Sequence, residues 1–124
     1  MKKIITICIL IVLIIVISDM FIKKSIYNRF DYMIDTFKSI DIDNNNEEKK
    51  RAVDMIESSL KENYLLMAFY IDHVELEKIK TQIVIIRAGI DEEDNSFLHE
   101  EIERTIFTID HLKKKIDFKL ENIL

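Results

Sequence analysis

The sequence predicts an all-α protein, in which an N-terminal membrane helix is followed by an antiparallel bundle of about four helices. Apolar residues recur three or four positions apart along most of the chain, which is the spacing of one helix face. The 124 residues include one Gly and no Pro, the residues that turns and β-bulges use most. A single block near the N-terminus is apolar and uncharged.

That first block is the run from Ile4 to Ile17, which follows Lys2 and Lys3. A basic start before an apolar run is typical of a signal anchor or of a cleaved signal peptide. A spanning helix needs about 20 apolar residues, and the run approaches this length only if it continues to Ile22. The best cleavage sequence, Val16-Ile17-Ser18, lacks the usual alanines. We therefore predict an uncleaved anchor, with secretion after cleavage as the alternative.

The anchor is predicted over residues 1–22, with lipid contact through residues 4–22, and the bundle domain over residues 23–124. Basic residues ahead of the run favour a cytoplasmic N-terminus and an extracytoplasmic bundle on a single-pass cell-membrane protein. Lys23 and Lys24 follow the run and reduce this charge asymmetry.

The rest of the chain carries four apolar stripes at helical spacing, each predicting one amphipathic helix. The first stripe continues the anchor helix, because no helix-breaking residue lies between them. Helices joined by short connections pack antiparallel. The stripes are Phe21/Ile22, Ile26, Phe30, Met33/Ile34, Phe37 and Ile40; Val53, Ile56, Leu60, Met67 and Ile71; Leu76, Ile79, Ile83, Ile86 and Ile90; and Leu98, Ile102, Thr105, Ile109, Leu112 and Ile116.

Polar segments mark the predicted helix ends. The segment 41–51 combines Asp and Asn residues that turn the chain and can cap the next helix. Near Ile71 the apolar register slips, and Asp72 with Glu75 forms a capping-box pattern that predicts a break. The alternative is one continuous helix over residues 47–90. Gly89 is predicted to help end the third helix before the acidic turn 91–95.

The charge balance argues against nucleic acid as a partner. The formal net charge is −5; setting aside Lys2 and Lys3 leaves 16 basic against 23 acidic residues, a net charge of −7. Phosphate backbones are bound through clusters of Lys and Arg, which an acidic domain lacks. Cys8 is the only cysteine, so the chain cannot form an internal disulfide.

Two Asp-His dipeptides are the candidates for a polar site. A hairpin centred between Glu92 and Glu93 places His73 opposite Leu112, so that the two dipeptides meet at the bundle end nearest the membrane. Such a cluster could titrate or bind a metal. The simpler interpretation, which we adopt, is that Asp72 caps its helix and both imidazoles pack at the bundle end or extend from it towards solvent, with no metal and no cofactor. The candidate ligands are Asp72, His73, Asp110 and His111.

The second half of the chain also carries a family resemblance. From Ile71 it reads IDHVELEKI, passes through EEDNS to TIDHL and ends in LENIL. These segments resemble the domain of unknown function 4363 family, membrane-anchored proteins of Gram-positive spore-formers. The chain departs from that family at Leu60 and Met67, where Trp is frequent, and near Ile85, where Arg is usual. The residues that match the family pattern are Asp72, His73, Glu75, His111, Asn122 and Ile123.

The resemblance implies a membrane-associated helical architecture and supplies no catalytic residue. The sequence also lacks a nucleophile elbow, a Cys-His pair outside the apolar block and a glycine-rich phosphate loop, so we predict that the protein is not an enzyme. The predicted role is a membrane-anchored helical interaction or structural module, with a protein partner or a second copy as its ligand. The alternative is an extracytoplasmic domain that responds to metal or pH through its Asp-His pairs.

Overall fold

The computed structural model describes the backbone of residues 1–123 and the side chains of residues 1–116. The described chain is helical throughout, apart from three short connections, which confirms the predicted fold class. The four helices are α1 (Lys2–Lys38), α2 (Asn46–Ala68), α3 (His73–Asp91) and α4 (Asn95–Ile123).

The helices form an antiparallel ring around one core. Helix α1 packs against α2 and α4, and α3 packs against the same two helices. The short connections force each helix to run opposite to its predecessor, which is the up-down-up-down arrangement of a four-helix bundle.

The core consists of the side chains that the four stripes predicted, with one exception. Phe21 is 70% exposed, so its assignment to the first stripe was wrong. Ile22 covers that level of the core instead and is partly buried, as is Ile40 at the other end of the stripe. The fully buried side chains include Phe30, Met33, Phe37, Val53, Ile56, Leu60, Met67, Leu76, Ile79, Ile86, Ile90, Leu98, Ile109 and Leu112.

Helix α1 has two halves with opposite environments. Residues 2–18, which we call the stem, are exposed on every face, and an 18-residue window of α1 with a mean hydropathy of 3.0 has no buried residue. From Asp19 onwards α1 buries one face in the bundle. The stem end is the end of the bundle where the stem leaves, and the tip is the opposite end.

The connections confirm the predicted breaks. The Asn45 side chain caps α2 by accepting a hydrogen bond of 2.9 Å from the Glu48 backbone N–H. Helix α3 begins after Asp72, which excludes one continuous helix over residues 47–90. The predicted capping box at Asp72 was wrong in its chemistry, because no cap bond reaches the Asp72 side chain. The Asp72 backbone carbonyl accepts the first intrahelical bonds, from the N–H groups of Glu75 and Leu76 at 3.0 and 3.1 Å, as the carbonyl of any N-cap residue does.

Gly89 was wrongly predicted as a cap, since α3 passes through it to Asp91. The helix ends in a Schellman motif, in which Asp94 N–H bonds to the Gly89 carbonyl at 3.3 Å and Glu93 N–H bonds to the Ile90 carbonyl at 3.2 Å. Glu93 therefore occupies the left-handed position usually taken by Gly, with φ of 57°. Gly89 serves packing, because a Cβ there would lie 3.1 Å from Cδ1 of Phe97.

An arginine joins α2 to α3 on the outside of the bundle. The Arg87 guanidinium bonds to Glu57 Oε2 through Nε at 3.0 Å and through one terminal nitrogen at 2.5 Å, and that nitrogen lies 2.6 Å from Asp54 Oδ1. The bond from Arg87, supported by one from Lys61, lowers the pKa of the Glu57 carboxyl. This fork fixes the register of the two helices.

Candidate functional site at the stem end

A polar cluster ties α1 to the α2–α3 connection where the stem leaves the bundle. The Tyr70 hydroxyl donates a hydrogen bond to Oδ1 of Asp19, and Lys23 Nζ lies 2.8 Å from Oδ2 of the same carboxylate. The Lys23 ammonium also lies 5.4 Å from the centre of the Tyr70 ring. The α2–α3 connection is therefore held at the level of Asp19.

Partial burial of this cluster affects the charge compensation of Lys23 and the pKa of Tyr70. Lys23 is only 5% exposed, so its charge depends on the Asp19 partner for compensation. Burial, together with the hydrogen bond to Asp19, raises the pKa of Tyr70 to about 12. Tyr70 thus remains a neutral donor at physiological pH.

A second tie joins α1 to α4. Lys113 Nζ lies 2.5 Å from Oδ1 of Asp31 and 4.8 Å from the centre of the Tyr27 ring. The bond to Asp31 raises the pKa of the Lys113 ammonium. Because Asp31 lies three turns beyond Asp19 on the same helix, the two ties hold α1 at two levels of the bundle.

A cleft of about 360 Å³ opens at the stem end between the α2–α3 connection and α4. Asp72 and His73 line it from one side and Leu112 from the other, which agrees with the predicted level of His73 opposite Leu112. The remaining lining residues are Ala68, Phe69, Tyr70, Ile71 and Glu75 around the connection and Lys115 and Ile116 on α4.

The structure does not bring the two Asp-His dipeptides into contact. Asp110 forms an ion pair of 3.1 Å with Lys114 on its own helix, and His111 is exposed. Among the side chains of residues 1–116, no group of three His, Cys, Asp or Glu residues could hold a metal ion. The metal alternative therefore has no support in this geometry.

His73 instead belongs to a surface network with α2. The Tyr64 hydroxyl donates to Oε1 of Glu77 at 2.7 Å and lies 2.9 Å from His73 Nδ1. Since the single hydroxyl proton goes to Glu77, Nδ1 of His73 is the donor to the Tyr64 oxygen. Lys80 completes the network, 3.6 Å from Glu77 and 4.8 Å from the centre of the Tyr64 ring.

The hydrogen bond to Glu77 raises the pKa of Tyr64, and the same bond lowers the pKa of Glu77. The polar atoms of Tyr64, His73, Glu77 and Lys80 are hydrogen-bonded or ion-paired with one another at the bundle surface. The arrangement positions α2 against α3 and supplies no activated nucleophile.

An exposed apolar surface surrounds the α2–α3 connection, and the sequence analysis missed it. We call it the turn patch and define it as Leu65, Leu66, Phe69 and Val74, which are 80%, 39%, 82% and 66% exposed. Its signal was the run LLMAFY, which contains more apolar residues than the core stripe requires, since only Met67 of this run is fully buried. Clustered exposure of large apolar side chains marks an interaction surface.

The polar ties were also missed, because their partners are 51 and 82 residues apart in sequence. Asp19 gave a signal, since an acidic residue beside an apolar run needs a partner. The side chains of Asn122 and Ile123, which match the family pattern, lie outside the described residues.

Comparison with known proteins places the chain in a family. The family model described as domain of unknown function (DUF4363) matches residues 20–123. The match begins one residue after Asp19, where α1 enters the bundle, and it covers all four packed helices. No curated protein and no solved structure matches the chain. The protein is therefore a member of the DUF4363 family, and its bundle is the family domain.

Proposed function

We propose that the protein is a single-pass membrane protein that holds its helical bundle against the membrane surface as an interaction or structural module. One observation carries this proposal: α1 is a continuous helix whose first half is apolar and exposed and whose second half belongs to the core. In water such a stem would expose a row of Ile, Leu and Val side chains, whereas lipid would cover it.

The sequence at the end of the stem also supports a retained anchor. The candidate cleavage sequence, Val16-Ile17-Ser18 directly before Asp19, lacks the usual alanines. The mass of the native protein tests this: an intact N-terminus supports the anchor, and a product beginning at Asp19 contradicts it.

The proposed orientation rests on the basic residues next to the stem. Lys2, Lys3 and the α-amino group directly precede the apolar run, and Lys23 and Lys24 follow it and reduce the asymmetry. The proposed orientation keeps the N-terminus in the cytoplasm and the bundle outside. A cysteine placed by Ser58→Cys, at an exposed position of α2, in a Cys8→Ser background should react with an impermeant maleimide in intact cells. Reaction only after lysis would place the bundle in the cytoplasm.

Membrane integration is tested with a charge in the middle of the stem. Leu10→Asp should release the protein from membranes at alkaline pH, because a central Asp costs about 3 kcal/mol and the stem is short. Val84→Asp is the matched control, since Val84 is 66% exposed on α3. Extraction of the unchanged protein under the same conditions would contradict the proposal.

The partner class proposed for the bundle is another protein or a second copy of this chain. Large apolar side chains are exposed on the outer faces of α2, α3 and α4, at Met55, Val84 and Phe107. A photo-crosslinking residue at position 107 of the full-length protein in membranes should give adducts of discrete mass. Adducts with lipid alone would contradict a protein partner at this face.

A further inference from the structure

We propose that the turn patch inserts into the lipid interface beside the stem, so that the protein contacts the membrane at two places. This inference rests on the proposed function, because it needs the stem to be in a bilayer. The occupant of the patch is the acyl and headgroup boundary of the phospholipids, and the residues that enter it are those of the turn patch together with Phe21.

The first argument is the position of the patch. Phe69 precedes Tyr70, whose hydroxyl is bonded to Asp19, the first residue after the stem. The patch is therefore held at the level where α1 passes from exposed to packed. Phe21, two residues beyond Asp19, is 70% exposed at the same level on α1. Two helices thus present large apolar side chains at one height.

The second argument is the length of the stem. Its uncharged run from Ile4 to Ile17 contains 14 residues. At 1.5 Å per residue this is about 21 Å of helix, roughly 10 Å less than the hydrocarbon core of a typical bilayer. When the apolar run is shorter than the hydrocarbon core, the residues that flank it are brought closer to the lipid. The structure that flanks this stem is the stem end of the bundle, with its exposed Phe21 and Phe69.

The third argument is the distribution of charge. Every charged residue in the two tip connections, residues 39–45 and 92–94, is acidic. These connections place five acidic residues at the tip, and the basic residues Lys49, Lys50 and Arg51 follow in the first turns of α2. The α2–α3 connection at the stem end contains one acidic residue, Asp72. At the stem end Lys24 and Lys115 are exposed and can reach phosphate groups. An apolar ridge with lysines nearby suits an interfacial contact, in which side chains enter the boundary by about 5–10 Å.

The chain contains no Trp, so single tryptophans can report on separate parts of the molecule. Full-length variants carrying Leu13→Trp, Phe69→Trp or Val84→Trp are reconstituted into phosphatidylcholine vesicles with brominated acyl chains. Leu13 reports on the stem and Phe69 on the patch. Val84 is the matched control, because it is 66% exposed and lies about 15 Å of helix beyond Val74 on α3, towards the tip.

We expect bromines to quench the Leu13→Trp and Phe69→Trp proteins and to leave the Val84→Trp protein bright. Quenching of Leu13→Trp without quenching of Phe69→Trp would overturn the inference and leave the membrane anchor standing. Short-wavelength emission from Phe69→Trp without quenching would show that a second copy covers the patch. Absence of quenching in Leu13→Trp would overturn the proposed function itself. Helical circular dichroism of each variant establishes that it has folded.

Discussion

The hydroxyl of Tyr70 donates a hydrogen bond to the carboxylate of Asp19, and this contact joins the α2–α3 connection to the point where the stem leaves the bundle. Lys23 binds the other oxygen of the same carboxylate at 2.8 Å. A movement of the stem relative to the bundle would have to break this cluster. The structure thus couples the orientation of the stem to the packing of the four helices.

Removing that hydroxyl is the first test. Tyr70→Phe should lower the free energy of unfolding by about 1.5 kcal/mol, because a hydrogen bond to a charged acceptor is lost while the ring remains. Tyr64→Phe is the matched control, since it removes a hydroxyl bonded to Glu77 on the exposed surface and should change stability less. Chemical denaturation of the full chain in detergent measures both. An equal loss of stability in the two variants would show that the Tyr70–Asp19 hydrogen bond stabilises the protein no more than the surface bond of Tyr64.

Alkaline pH tests the same contact by titration. The pKa of Tyr70 is raised from 10.0 to about 12 in the folded protein, chiefly by burial and then by the bond to Asp19. A raised pKa means that the stabilisation is complete below the unfolded value and is lost as the pH rises from 10.0 to about 12. Other groups titrate in this range, so the quantity to follow is the stability difference between the native protein and Tyr70→Phe. A difference that does not change across this range would contradict the assigned pKa.

The sequence predicted the apolar core contacts much better than the polar contacts between helices. The stripes that include Phe30, Ile56 and Ile86 follow from local periodicity, which fixes the buried face of each helix without knowledge of its neighbours. The bonds of Tyr70 to Asp19 and of Lys113 to Asp31 depend on the rotation and height of helices far apart in sequence, which periodicity does not specify.

For the helix ends, the sequence predicted the position of the break and did not predict its hydrogen bonds. The sequence correctly located the break at Asp72, because the apolar register slips there. It could not show whether the Asp72 carboxylate would also accept a hydrogen bond from the first turn of α3, since this depends on one rotamer. The turn patch was missed for a related reason. The stripe identifies the residues that fill the core, but the importance of the additional apolar residues Leu65 and Phe69 depends on their position next to the stem, which the sequence pattern does not give.

Acid pH tests the fork between α2 and α3. The pKa of Glu57 is lowered from 4.5 by its bond to Arg87, then by its bond to Lys61. A lowered pKa means that the stabilisation is present above 4.5 and is lost as the pH falls through the folded value. Glu57→Gln should therefore be less stable than the native protein at neutral pH, and the difference should shrink in acid. Glu62→Gln, an exposed position on the same helix, is the control, and the same pH dependence in both variants would contradict a role for the fork.

The end of α3 offers a substitution that should stabilise the protein. Glu93 has φ of 57°, a conformation that costs a residue with a Cβ about 1 kcal/mol and costs Gly nothing. Glu93→Gly should therefore raise the free energy of unfolding by about 1 kcal/mol, even though the exposed 3.1 Å bond from Asn46 is lost. Glu92→Gly removes the same charge from the same helix end, but Glu92 has φ of −81°, so this control should be destabilising by about 0.5–1 kcal/mol. Because the loss of charge is common to both variants, opposite shifts of the denaturation midpoint isolate the backbone effect. Equal shifts would mean that charge, and not the left-handed conformation, governs this turn.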